Sequence, residues 1–588
     1  MKRPRLTAVP LGLVLLTLSS MERSAAQGRT SIASITPTGV AGNGVCWGAS
    51  ISSDGRSVAF TSEASDLVTG PGGAGANLFL RDMLTGSVRQ LDVSTTGGAP
   101  DGTAQGVGIS ADGLHVAFGS TAFNLVPNDN NGHAPDTFLC DVQSGAIVRT
   151  SVGSNGSGGF GSSYVGGISG DGRFVAFTST VSSFAAADTN GREDAFVRDV
   201  VLGTTELVSV AAGGTSGNSY SLASSISTDG RFVAFESGAT DLVPNDTNAI
   251  NDVFVRDRLL GTTVRVSVGP LGVQGIGGSA GGWLSADGSR AGFFSFATNL
   301  VTGGTFGQHV FVHELATGIT TLVDVNSQGL QGNAPGGTCS LSSDGRIIAF
   351  MSQSTDLVAN DTNGWGDAFV RDMNSGTTTR VSTATTGAQG NADVLDVVLS
   401  SDGRSIAFRT GASTLFGGDS NGAYDVFVHD RFAVGPEAFC FGDGVLSPCP
   451  CGNSGATGHG CASSLVAAGA LLATSGSTAP DTLQLLGSSR PNTASVVYLQ
   501  STDVAASPYV FGDGLRCVDG NIRRLRATVC TAGACSVPLF SDPLLSVMSH
   551  TPVGSGIVAN YQLYYRNASA SFCPPATFNA SNAVRVVW

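Results

Sequence analysis

One string, S-x-D-G-R-x-V-A-F with local variation, returns along this chain at nearly constant spacing, and it limits the fold more than any other feature. Its aspartates are Asp54, Asp112, Asp171, Asp229, Asp287, Asp344 and Asp402, separated by 58, 59, 58, 58, 57 and 58 residues. Self-similarity at a fixed period of this size signals a repeat architecture. Six residues after each aspartate stands a phenylalanine: Phe60, Phe118, Phe177, Phe235, Phe293, Phe350 or Phe408. A second anchor, D-x-F-V-R-D, places Phe79, Phe138, Phe196, Phe254, Phe311, Phe369 or Phe427 about 25 residues after the aspartate. Fourteen of the 30 phenylalanines therefore serve one repeated core pattern.

Each unit reads as four short strands. The Asp-Gly pair is a tight-turn signal between two apolar, β-branched runs. A G-T-T-x-x-V-S-V run after the second anchor supplies another hairpin arm, and Gly/Ser/Asn-rich loops join the pieces. No long stretch has an apolar period of 3.6. Seven units of four strands predict an all-β fold, a seven-bladed β-propeller; an open β-solenoid is the structural alternative. The last anchor, Phe427 to Asp430, has no following T-x-x-V-S strand. The N-terminal run Thr30-Ser31-Ile32-Ala33-Ser34 can supply it. Gly390-Asn391 and Gly42-Asn43 each lie the same distance before the next repeat aspartate, so the register carries across. Closure of that kind removes two sheet edges.

These units resemble the TolB-type, WD40-like propeller repeat, whose core string is S-x-D-G-x-x-I-A-F. The resemblance covers roughly residues 30–435 and implies the fold more than an activity, because propellers host many functions. TolB itself is periplasmic with partners at the cell envelope, and related repeats precede catalytic domains in some peptidases. No α/β catalytic domain follows here.

Before the second anchor, several units carry an acidic loop. Three read D-T-N: Asp188, Asn190 and Asp194; Asp246, Asn248 and Asp252; Asp361, Asn363 and Asp367. A fourth holds Asp419, Asn421 and Asp425, and a looser copy runs from Asp129 through Asn131 to Asp136. Units one and five lack it. Alternating oxygen donors before a turn, then a later carboxylate, suit a hard cation, and the loops resemble the short D-x-N-x-x-x-D loops of secreted calcium-binding repeats. Ca²⁺ is one candidate cofactor, at the twelve residues of the first four of these loops. The competing reading is that Asp and Asn only close Asx-turns. The acid ending each second anchor (Asp82, Asp141, Asp199, Asp257, Glu314, Asp372, Asp430) reads as an ion pair or backbone cap. His313 and His429 fill the Arg slot before it and read as structural residues, not bases.

No catalytic residues are assigned. The seven histidines form no H-E-x-x-H or H-x-H cluster. A G-x-S-x-G at Gly277 to Gly281 lacks the strand–turn–helix context of a nucleophile elbow. Tryptophan is scarce, and Trp365 stands inside an acidic loop, where packing within the loop is the expectation and an exposed ligand contact the alternative.

Net charge is −14 and the only lysine is Lys2, which argues against nucleic-acid binding, a polybasic membrane surface and lysine chemistry. The basic start Lys2, Arg3 and Arg5, the apolar stretch Leu6 to Leu18 and the small residues Ser24-Ala25-Ala26 have the layout of a secretory signal peptide over residues 1–26. Residues 27–436 are the repeat domain. The period stops at Pro436, and residues 437–588 hold eight of the 11 cysteines: Cys440, Cys449, Cys451, Cys461, Cys517, Cys530, Cys535 and Cys573. Export favours disulfides, so a small disulfide-rich, β-sandwich-like domain is expected. Cys46, Cys140 and Cys339 remain as the candidate unpaired thiols. The run F-C-F-G-D-G…C-P-C-G-N…G-C-A-S-S, with the later G-D-G-L-R-C and Y-Q-L-Y-Y-R, resembles a C-terminal module recurring in large secreted proteins of environmental bacteria, which implies location more than activity.

The reading is a secreted, periplasmic or cell-surface monomer without a membrane span. It acts as a binding or scaffold protein for a protein or glycan ligand at one propeller face. The alternatives are a polysaccharide- or peptide-processing enzyme with its site in the ring channel, or a TolB-like envelope component.

Overall fold

A computed structural model describes residues 28–588, apart from positions 71, 74, 84, 128, 130, 432–436, 440–448, 450–452, 457–458, 463–466, 476–480, 482, 489–494, 512–513, 530–533, 540–541, 553–556 and 567–577. The expected signal segment, the Pro436 boundary and Cys440, Cys451, Cys530 and Cys573 lie outside the described residues.

The repeats fold as four-stranded antiparallel sheets, an all-β arrangement consistent with a β-propeller. In the first, Cys46–Ile51 (strand A), Ser57–Ser62 (B), Asn77–Asp82 (C) and Val88–Gln90 (D) pair in chain order. Six more repeat sheets follow the same plan, referred to here in chain order. In the seventh, Val394–Leu399, Ser405–Thr410 and Asp425–Asp430 are joined by Arg29–Ile32 as the fourth strand. Thr30 lies opposite His429 and Ile32 opposite Phe427.

The recurring residues explain the recurring sheet. The repeat aspartate accepts a hydrogen bond from the serine two residues before it, 2.6 Å for Ser52 to Asp54 and for Ser227 to Asp229. It also caps the amide two residues on, 3.0 Å at Arg56 and at Arg231. The glycine after it sits at positive φ, 74° at Gly55 and 71° at Gly230, where a Cβ would be strained. The two phenylalanines of each repeat lie opposite each other on B and C and stack at 5.6–5.8 Å between centroids. Such pairs add about 0.5–1.5 kcal/mol each beyond the area they bury, and all fourteen rings are buried.

Neighbouring sheets are stapled. The A–B turns bond in series, as in Gly170 N–H to Thr228 O at 2.9 Å and Thr228 N–H to Ala286 O at 2.8 Å. A strand-D threonine reaches the preceding sheet: Thr205 to Val152 O and Thr378 to Val325 O, each at 2.5 Å. Thr30 makes the corresponding bond to Thr383 O. The first A strand also lies beside the last, and Ile51, Val58 and Phe60 share a core cluster with Ala407, Val426 and Val428.

Residues 437–588 form a separate pattern. A five-stranded sheet built around Val558–Arg566 and Phe578–Val587 and a three-stranded sheet including Leu471–Ser475 share one core. Tyr561, Leu563, Tyr565 and Trp588 lie within it, and the Trp588 indole donates to Tyr561 Oη at 2.8 Å. Cys449 and Cys461 form a disulfide, whereas Cys46, Cys140 and Cys339 are free and buried. Burial pushes the Cys46 and Cys140 thiols up to about 12, which keeps them unreactive. Among the described residues no helix is long and apolar enough to cross a membrane.

Candidate functional site: the acidic B–C loops

Antiparallel order puts the A–B and C–D turns at one end of each sheet and the B–C and D–A loops at the other. The acidic loops are B–C loops. Their second aspartate opens strand C: Asp136, Asp194, Asp252, Asp367 and Asp425 are all essentially inaccessible to solvent. Each receives the hydroxyl of a serine at the end of strand D, fifteen residues on in the chain: Ser151, Ser209, Ser267 and Ser382, at 2.5–2.7 Å. For Asp425 that serine is Ser34, at 2.5 Å, contributed by the N-terminal segment.

The asparagine of the loop is a clasp. Asn190, Asn248, Asn363 and Asn421 each accept from the backbone amide two residues on, at 2.6–3.3 Å. Their amide groups donate to the carbonyl of a glycine in the next D–A loop, Gly217, Gly275, Gly390 or Gly42. The side-chain oxygen thus closes an Asx-turn, and the loop is tied to its neighbour.

The first aspartate divides the sheets. In sheet two, Arg149 bridges Asp129 at 3.1 Å and Asp136 at 2.6 Å. In sheet four, Arg265 Nη1 lies 3.2 Å from both Asp246 and Asp252. In sheet six, Arg380 Nη1 lies 2.7 Å from Asp361 and 3.3 Å from Asp367. Each arginine sits on strand D, thirteen residues after the second aspartate. At that position sheet three has Leu207 and sheet seven has Ile32, paired opposite Phe196 and Phe427. Asp188 there has neither carboxylate oxygen hydrogen-bonded, and Asp194 Oδ2 and Asp419 Oδ2 are likewise unpartnered. Burial, with the Asp188 charge adding to it, pushes Asp194 up to about 7. Burial does the same to Asp425, to about 6. Among the described residues, no group of three or more His, Cys, Asp or Glu gathers as a metal cluster.

Sheets one and five, which lack the loop, transpose the charge. The aspartate moves to the strand-D serine position: Asp92 faces Asn77 and Gln90, and Asp324 is held 2.7 Å from His309 Nδ1. Burial pushes Asp92 up to about 7.

The other candidates resolve as structural. In five sheets the acid closing the second anchor pairs with an arginine at the A–B turn or the start of strand B, as in Arg173–Asp199 at 2.7 Å, Arg231–Asp257 at 2.6 Å and Arg290–Glu314 at 2.7 Å. His313 and His429 bond to Thr320 and Thr30, both at 2.9 Å, and burial pulls them down to about 4. Ser279 of the G-x-S-x-G string starts a strand and is buried against Ser295. Trp365, expected to pack within its loop, is instead 45% exposed. The strand-D arginines were legible as the R of V-R-T-S, V-R-V-S and T-R-V-S, but only the pairing register shows which carboxylates they meet.

No protein-family model and no curated protein matches the chain. Among solved structures, it is similar to TolB from Acinetobacter baumannii at 15% identity, covering 58% of this chain and 64% of that one, with a TM-score of 0.31. The propeller domain of the trilobed protease from Pyrococcus furiosus, described as having an open velcro topology, gives 9% identity, 66% and 95% coverage and 0.39. A prolyl endopeptidase gives 13%, 68% and 53%, and 0.41. The chain spans less than two thirds of the TolB and prolyl endopeptidase chains. The propeller assignment rests on the sheets described above.

Proposed function

We propose that the seven repeat sheets close into a seven-bladed ring, zipped by Arg29–Ile32, and that the exported chain is a binding or scaffold protein. The ligand, a protein or glycan, would sit on the end carrying the B–C and D–A loops. One observation carries this reading: the exposed aromatic side chains among the described repeat residues gather at that end, among them Trp47, Phe160, Tyr164, Phe296, Phe306 and Trp365. Exposed aromatic groups in such number mark recognition surfaces more than ordinary solvent-facing area. The large hydrophobic side chains exposed at the opposite end are aliphatic: the pairs Val201-Leu202 and Leu259-Leu260 on two adjacent sheets, with Leu114 and Ile319. Export is supported by the residue 1–26 pattern and by the Cys449–Cys461 disulfide. The C-terminal domain then serves attachment to a surface or matrix.

The test is a glycan array and a protein pull-down with the full exported chain, repeated with Trp365→Ala and Phe160→Ala. Both side chains are solvent-facing, so melting temperature should hold while retention of the captured ligand falls at least tenfold. Retention unchanged in both variants would remove the loop end as the binding face. A captured ligand that is cleaved would favour the enzyme alternative, and a single envelope protein as partner would favour the TolB-like one.

A further inference from the structure

Sheets two, four and six show what the paired carboxylates of an acidic loop require. Two aspartates packed together in a buried site repel each other and lose water, so an opposite charge must lie between them or a proton must be taken up. In those sheets the opposite charge is a strand-D guanidinium within 3.3 Å of both carboxylates. Sheets three and seven keep the two aspartates, the asparagine clasp and the serine, but place Leu207 and Ile32 where the cation belongs.

A second substitution accompanies the first. In sheets four and six the D–A loop brings a glutamine against the acidic loop: Gln274 donates to Asp246 at 3.2 Å and Gln389 to Asn360 O at 2.6 Å. The corresponding bridge residues are Ser216 in sheet three and Ala41 in sheet seven. Both sheets have therefore exchanged a long cation and a long amide for short side chains. In sheet three the two carboxylates left behind lie within hydrogen-bonding reach of each other, and in sheet seven Asp419 bears on Asp425 through its charge. Asp188 is 6% exposed with both oxygens unpartnered, and Asp194 is fully buried with Oδ2 unpartnered. The Ser216 hydroxyl and the Asn190 amide approach Asp188 without hydrogen-bond geometry. In sheet seven Asp419 is 7% exposed with Oδ2 unpartnered, beside fully buried Asp425, whose Oδ1 accepts from Ser34 at 2.5 Å and Oδ2 from Asn421 at 2.8 Å and which keeps further lone pairs for a cation.

We propose that Asp188 with Asp194, and Asp419 with Asp425, each bind a divalent cation that takes the place of the arginine in the sister sheets, and that this cation is Ca²⁺. The donors are hard carboxylate oxygens, and Ca²⁺ accepts irregular sets of six to eight oxygens completed by backbone carbonyls and water, whereas Mg²⁺ demands near-ideal octahedra. The asparagine oxygens are committed to their turns, so each site offers two carboxylates and is weaker than a cage of four. Because the loops are clasped to their neighbours at the aromatic end, the cation would also firm the face assigned above to ligand binding.

The experiment is isothermal titration of the full chain with CaCl₂ after EDTA treatment and desalting. The wild type should take up two equivalents. Leu207→Arg, which installs in sheet three the cation of sheets four and six, should lose one equivalent, and Asp188→Asn should lose the same one. Asp188→Asn relieves repulsion without adding bulk, so it reports even where Leu207→Arg misfolds. No uptake by the wild type, with a melting temperature equal in EDTA and CaCl₂, overturns the proposal and assigns the pair a shared proton. Uptake equal to wild type in Asp188→Asn and in folded Leu207→Arg overturns it as well.

Discussion

Sheets six and three carry the same D-T-N loop and differ in how its charge is met. In sheet six Arg380 lies between Asp361 and Asp367, and Ser382 and Asn363 take up the remaining acceptors of Asp367. In sheet three Leu207 packs instead against Phe177, Phe184 and Phe196, and the aspartates face each other without it. One residue in register opposite the strand-C phenylalanine thus decides whether the loop is complete within the protein or needs something from solution. The motif that looks most like a binding site is, in three copies, already filled by the chain itself.

The strongest way to break this contrast is to make sheet six resemble sheet three. Arg380→Leu leaves Asp361 and Asp367 buried without their cation, a change that typically costs about 3–5 kcal/mol. Urea denaturation in EDTA should show that loss. In CaCl₂ part of it should return, because the variant recreates the sheet-three arrangement. A loss below about 1 kcal/mol in EDTA would mean that the arginine is not what holds the pair.

A smaller effect is expected where the charge is transposed. In sheet five Asp324 is met by His309, whereas in sheet one Asp92 meets no cationic partner: Gln90 donates to Oδ1, and Oδ2 is unpartnered. Burial raises the Asp92 carboxyl from the usual 3.8 to about 7, so the folded state holds this proton more tightly than the unfolded chain. The stability tied to that proton is present below pH 4 and is lost as pH rises from about 4 through 7. Asp92→Asn removes the loss. It should stabilise the protein by about 2–4 kcal/mol at pH 8 and change little at pH 4, read as urea midpoints at the two pH values. Equal effects at both would assign Asp92 a role other than charge.

The repeat sheets were legible because their signals are local and repeated: the Ser–Asp–Gly turn and the two phenylalanines fix strands A, B and C without long-range information. The strand from the N-terminus was legible through register alone, since Thr30 to Ser34 matches the missing T-x-x-V-S. The acidic loops were only half legible. Asp and Asn suit both a cation and an Asx-turn, and the chain uses Asn190, Asn248, Asn363 and Asn421 for the turn. What separates filled from open loops is the residue thirteen positions on, which a loop-centred reading does not include. The exchange of Asp92 and Asp324 for serine was likewise hidden, because a buried aspartate reads in sequence like any turn acid. Trp365 was misjudged because sequence gives no measure of how far a loop tip stands from its sheet.

The finest comparison is between Thr378 and Thr30. Thr378 is covalently next to its own sheet and reaches Val325 O of the sheet before; Thr30 makes the same kind of bond to Thr383 O while lying at the far end of the chain from its sheet. Thr→Val keeps the shape and removes two hydrogen bonds at each site, to Val325 O and from Arg371 for Thr378, to Thr383 O and with His429 for Thr30, each worth about 0.5–1.5 kcal/mol net. Thr378→Val and Thr30→Val should therefore destabilise by similar amounts if the N-terminal strand is held as firmly as an internal one. A Thr30→Val effect near zero beside a normal Thr378→Val effect would mean that Arg29–Ile32 detaches before the sheets unfold, and the seventh sheet would then lose its fourth strand first. Hydrogen exchange at the Ser31 and Ala33 amides, compared with their counterparts Thr379 and Val381, reads the same difference without any mutation.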